Sequence, residues 1–98
     1  MSRPVILDPE ARAEFDCSYD WYERQRAGLG EAFADQVQIV LDRVGRNPRM
    51  HAVVFGVVRK AVVRRFPFCV YYREEPAWVR VIAVFHTSRD PDEWQRRA

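Results

Sequence analysis

Residues 57–86 read VVRKAVVRRFPFCVYYREEPAWVRVIAVFH. This stretch decides the fold, because β-branched and aromatic residues dominate it and turn residues interrupt it. Strands are expected over 57–66, 68–73 and 77–85. Phe66-Pro67-Phe68 forms the corner between the first two, and Glu74-Glu75-Pro76 is a tight connection to the third. Side chains alternate across a strand. Arg59 and Arg65 are therefore expected on one face of the first strand, with Lys60 and Arg64 on the other. Tyr71 and Tyr72 take opposite faces, so at most one lies deep in the core. In the last strand Val79, Val81, Ala83 and Phe85 are all apolar and should face the rest of the core. Trp78, Arg80, Ile82, Val84 and His86 make up a mixed second face.

Upstream of this stretch the period changes from two to 3.6. Asp8-Pro9-Glu10 has the grammar of a helix start, with Asp8 at the N-cap, Pro9 at the first position and Glu10 on the positive end of the dipole. The helix is expected to run to about Arg26, with Ala11, Phe15, Ser18, Tyr19 and Tyr22 on its core side. Ala27-Gly28-Leu29-Gly30 breaks it, and Gly28 suits left-handed backbone. A second helix is expected over 31–46, where Phe33, Val37, Val40, Leu41 and Val44 form an apolar stripe. Asn47-Pro48 ends it. So short a connection pairs the helices as an antiparallel hairpin. Residues 4–7 can add an edge strand. Asp90-Pro91-Asp92-Glu93 repeats the helix-start grammar and opens a short C-terminal helix through Arg97, anchored by Trp94. The whole is an α+β domain: N-terminal strand, two-helix hairpin, three-stranded antiparallel meander, short terminal helix.

The 98 residues make one domain, 1–98, with 48% hydrophobic and 13% aromatic residues, enough to fill a core. No apolar run is long enough to cross a membrane, and the first residues do not look like a secretory signal; a cytoplasmic protein with no membrane partner is the expectation. Cys17 and Cys69 fit no paired-cysteine motif and read as small core hydrophobes. His51 and His86 show no metal-ligand spacing, and the four glycines are scattered, so no metal, phosphate loop or cofactor is expected.

Net charge is only +2, from 16 Lys+Arg against 14 Asp+Glu. That sum conceals a division. Residues 1–49 carry seven Arg and nine acids, whereas residues 50–98 carry nine cations and five acids. Lys60 is the only lysine; the other cations are arginines, which form planar bidentate contacts with carboxylates and phosphates. Arg59, Lys60, Arg64 and Arg65 fall within seven residues. They read either as guards of an exposed strand edge or as a surface for phosphate or an acidic partner. His86, at a strand end beside Arg89, reads either as a general acid or base or as a loop cap. A triad with Ser88 lacks the nucleophile-elbow context. Trp94 is an anchor in one reading and a base-stacking platform in the other.

The ordered series Trp21-Tyr22-Glu23, Gly28-Leu29-Gly30, Phe33, Asn47-Pro48, then residues 59–68, Val70-Tyr71-Tyr72-Arg73, residues 81–84, His86, Arg89-Asp90-Pro91 and Trp94 resembles the RelE/ParE superfamily of bacterial toxins. It covers most of the chain. The resemblance implies a growth-arresting toxin of a type II toxin–antitoxin module of the plasmid-stabilising kind, neutralised by a cognate antitoxin in a hetero-oligomer. It also implies one of two targets. RelE-like members cut ribosome-bound mRNA with basic residues and often a tyrosine or histidine; ParE-like members inhibit DNA gyrase. Cys69 stands where a RelE-like nuclease typically carries an arginine, and Trp94 where several carry a tyrosine, so the sequence leans to the ParE-like side. An endoribonuclease would use Arg65, His86 and Arg89. Target or antitoxin contacts are expected from Arg59, Lys60, Arg64 and Arg65 on the first strand, from Tyr71 and Arg73 on the second, and from Trp94, Arg96 and Arg97 in the tail. A degenerate, non-toxic antitoxin-binding module is the remaining alternative.

Overall fold

The computed structural model describes residues 2–98. Asp8 and Pro9 start the first helix as their chemistry dictates, and strand β1 (Val5–Leu7) leads directly into α1 (Pro9–Gln25). The Asp8 carboxylate, however, does not cap the helix. Both of its oxygens accept from Arg80 Nε at 3.0 Å, which ties the start of α1 to the sheet.

The turn into α2 (Leu29–Arg46) shows how the helix hairpin is held. Gly28 has φ 89, as its position predicted. No side chain of the turn caps α2. Glu23 does so from the neighbouring helix, accepting the backbone N–H of Gly30 at 2.8 Å and those of Gly28 and Glu31 at 3.3 Å. This satisfies orphan donors of the new helix and places a negative charge at its positive end. Gly30 lets the helices approach. A Cβ there would lie 2.5 Å from Glu23 Cγ and 2.8 Å from the Tyr19 carbonyl. Tyr19, expected in the core, is half-buried and donates its hydroxyl to Glu31, which holds its pKa up at about 12. Phe33, Val37, Val40 and Val44 of α2 are buried as the stripe requires, with Ala11 of α1; Phe15, Tyr22 and Leu41 pack at the border.

After α2 come β2 (Val53–Phe55), β3 (Val58–Val62), β4 (Phe68–Glu74), β5 (Val79–His86) and α3 (Asp92–Gln95). The sheet has five strands in the order β1-β5-β4-β3-β2. β1 runs parallel to β5, and the other pairings are antiparallel. The strand expected over 57–66 is present but shorter, as β3, and the expected three-stranded meander gains β2 before it. Gly56, with φ 58, turns the chain between β2 and β3, so the antiparallel part has four strands. Arg64 and Arg65 lie past the end of β3 in a turn, where Arg65 takes a left-handed φ of 71, and the alternation inferred for them does not apply.

The face assignment of β5 is half right. Tyr72 pairs with Val81 and Tyr71 with Ala83, leaving Ile82 as an extra residue in the ladder. This bulge exchanges the faces beyond it. Val79 and Val81 point to the helices, as expected, but so does Val84. Ala83 and Phe85 instead join Val58, Ile82 and Trp94 in a second cluster on the outer face, with Tyr71 against it. Tyr72 is fully buried on the inner face, its hydroxyl donating to the Pro48 carbonyl at 2.7 Å, so the two tyrosines do divide as alternation requires. Of the two cysteines, Cys69 is buried, but Cys17 is exposed on α1 and is not a core residue.

Candidate functional site

The exchange of faces on β5 carries His86 to the helix side of the sheet. There it closes one end of a groove of about 840 Å³ between α1 and the ends of β4 and β5. Ala13, Cys17, Ser18, Trp21 and Tyr22 form the helical wall; Pro67, Phe68 and His86 form the sheet wall; Glu14 and Arg89 sit at the rim. Trp21 is half exposed, at 51%, and lines this groove.

His86 stands edge-on to Phe68, ring centroids 5.1 Å apart. Its Nδ1 accepts the Ser88 backbone N–H at 3.0 Å, and the Ser88 hydroxyl lies 2.8 Å from the same nitrogen. A backbone N–H can only donate, so Nδ1 contributes its lone pair and the neutral ring carries its proton on Nε2. This is the loop-cap reading of His86. A histidine in this state presents a donor to the groove, not a base.

Arg89 is equally committed. Its guanidinium lies 4.2 Å from the centroid of the Phe85 ring, pairs with Glu93 and reaches Glu14 at 3.3 Å. Arg97 donates to both oxygens of Glu14 at 3.2 Å. Glu14 is the hub of this corner, and no pattern in the sequence distinguishes it from the other acids of α1.

Arg65 lies outside this network. It is brought to the same end of the sheet as His86, since Thr87 N–H bonds the Pro67 carbonyl at 2.8 Å, but it is exposed in its turn. Arg59 is spent on structure: its guanidinium donates to the His51 carbonyl at 2.6 Å and so clamps the loop before β2. Burial in that loop pushes the His51 pKa down, helped by the nearby cations Arg43 and Arg59. Arg73 pairs with Glu75 at 3.0 Å. Among the described residues Lys60, Arg64, Arg65 and Arg96 have no ion-pair partner and are exposed, leaving them as the free cations of the expected set.

On the outer face Trp94 is buried and stacks on Tyr71, centroids 4.0 Å apart and planes 19° from parallel. It is an anchor, with no face left for a base. Beside it Cys69 is 2% exposed, and burial pushes its thiol pKa up. Sequence reasoning missed one further surface. Val53, Val54 and Phe55 of β2 are all exposed, as are Val57 and Val62 next to them, so one edge of the sheet is apolar and open. Among the described residues no cluster of His, Cys, Asp and Glu could hold a metal ion.

The chain is similar in structure to the "Chromosomal ParDE TA system from P. aeruginosa", with a TM-score of 0.77 at 14% identity over 89% of this chain and 98% of that one. A search of curated proteins finds no match. A sequence-family profile described as "ParE toxin of type II toxin-antitoxin system, parDE" matches residues 5–91. With strand, helix hairpin, four-stranded meander and loop in the matched order, the chain belongs to the ParE toxin family of type II toxin–antitoxin systems.

Proposed function

We propose that the protein acts as a toxin by inhibiting DNA gyrase through contact, and that a cognate antitoxin neutralises it. The observation that carries this reading is that two of the three groups a phosphodiester-cleaving site would draw on, His86 and Arg89, are already engaged. Such a site needs a base for the 2′-hydroxyl and cations for the charge that develops. The Nδ1 lone pair of His86 is taken by Ser88, Arg89 is paired with two glutamates, and the position of Cys69 holds a buried thiol in place of a cation. Binding is left as the mode of action. The free cations Lys60, Arg64, Arg65 and Arg96 offer contacts to an acidic surface, and the apolar groove suits a segment of the antitoxin that folds on binding.

The second reading, ribosome-dependent mRNA cleavage, is favoured by one observation: His86 and Arg89 do line the same groove. Purified protein is expected to block gyrase supercoiling in a dose-dependent way while leaving ribosome-bound mRNA intact. Codon-dependent cleavage with normal supercoiling reverses the choice. Normal growth on soluble expression without antitoxin points instead to the degenerate module.

A further inference from the structure

β1 pairs with β5 only through residues 79–81. Beyond that point the same edge of β5 has no neighbouring strand, yet its backbone groups are not free. Val84 N–H donates to Glu14 Oε1 at 3.1 Å, and the Ile82 carbonyl accepts from Arg97 Nη2 at 2.9 Å. Two side chains, one from α1 and one from the segment after β5, take the place of a strand. They also pair with each other, and Glu14 holds Arg89 as well. The Glu14 side chain is 10% exposed, so this pair is poorly screened by solvent.

The segment so held does a second job. Its Trp94 completes the outer cluster of Val58, Ile82, Ala83 and Phe85. α3 itself has four residues, too few to be stable on its own. Trp94 and the Glu14 contacts must therefore hold or release it together. Beneath it lies Val-Ile-Ala-Val-Phe, residues 81–85, with no charge and no proline. That composition pairs readily with another strand once its edge is bare.

We propose that residues 89–98 form a strap, buckled at Glu14, that opens as a unit; opening frees the Ile82 carbonyl and takes away Arg89 and Arg97, the two cations paired with Glu14 where it covers Val84, so that the β5 edge at 82–84 becomes open to the same edge of a second copy of this chain. Two-fold antiparallel pairing sets residue i against j and j against i, here 82 against 84 about Ala83. Here it brings apolar against apolar, and the cations that would repel, Arg89, Arg96 and Arg97, leave with the strap. The inference is independent of which target the toxin has.

The test compares the full chain with R97A and R97K, by residue-resolved amide exchange and by sedimentation velocity over a range of concentrations. In R97A the amides of Val84, Gln95 and Arg96 are expected to exchange faster by one common factor, roughly tenfold or more, with Val70 in β4 unchanged. A concentration-dependent dimer is expected to appear. R97K should fall between, because an ammonium cannot span both carboxylate oxygens and the carbonyl as the guanidinium does. Val84 still protected in R97A, or Val70 accelerating by the same factor as Gln95, overturns the strap as a unit. Faster exchange with a strictly monomeric protein overturns the self-pairing edge.

Discussion

The two faces of the sheet are covered by very different means. On the inner face, two long helices lay Ala11, Phe33, Val37, Val40 and Val44 against Ala61, Val63, Val70, Tyr72, Val79, Val81 and Val84. On the outer face, a four-residue helix covers four buried residues, Val58, Ile82, Ala83 and Phe85, with one large side chain, Trp94. Hydrophobic stabilisation follows the apolar area removed from water, so the inner face sets global stability. The outer layer is the part that can loosen first. The bulge at Ile82 decides which residues each layer receives, because it sends Val84 inward and Phe85 outward from what would otherwise be a single alternation.

The comparison can be broken most forcefully at Phe33, which is fully buried and stacks or crosses edges with Phe15, Tyr22, Phe66 and Phe68. Phe33→Ala should cost about 3–5 kcal/mol in urea unfolding, with all probes lost together. Trp94→Ala should cost less, about 2 kcal/mol, because the native state can shed its outer layer without losing the inner one. Near-UV circular dichroism should change while far-UV signal and inner-face exchange protection persist. Equal losses for the two variants would mean that the faces are one cooperative unit. Gly30→Ala tests the hairpin that builds the inner face. The added Cβ must displace Glu23 and crowd the Tyr19 carbonyl, at about 1–2 kcal/mol, measured by thermal melting.

The smallest expected effect is one of pH. Burial lowers the His51 pKa in the folded chain, so the unfolded chain takes up the proton first as pH falls. The stability this neutral ring confers is complete above the ordinary histidine pKa of about 6.5. It is lost as pH drops through the lower folded value. His51→Gln should flatten the stability profile across that window, and an unchanged slope would assign it to other groups.

Much of this fold is legible in the sequence, for reasons that can be named. The helices declare themselves through Asp8-Pro9, the stripe at Phe33, Val37, Val40 and Val44, and Asn47-Pro48. The role of Gly28-Leu29-Gly30 is also visible, though not that Glu23 caps from the facing helix. β2 escapes notice because Val53-Val54-Phe55 is exposed throughout and shows no alternation; Gly56, flanked by valines and phenylalanine, is the signal that could have revealed the hairpin. The bulge is invisible because residues 81–85 contain no polar side chain to mark which face is which. The groove was legible only in part. His86 and Arg89 were singled out, but Glu14, Cys17 and Trp21 reach the same place from a helix some 70 residues away in the chain, as the 70-residue separation of Glu14 and Val84 shows.

That separation governs when the chain can fold. β1 takes its partner from β5, Arg80 meets Asp8 across 72 residues, and Arg97 meets Glu14 across 83. During synthesis the helix hairpin emerges with its apolar stripe uncovered, and nothing that precedes β5 can close the sheet around it. Contacts of such range form slowly, after the loop they close has been made. A nascent chain stopped short of β5 therefore has neither the groove nor the buckle at Glu14, and its β1 lacks a partner strand, which leaves apolar surface open to chaperones and proteases. The toxin comes into being in a single late event, when its last strand leaves the ribosome.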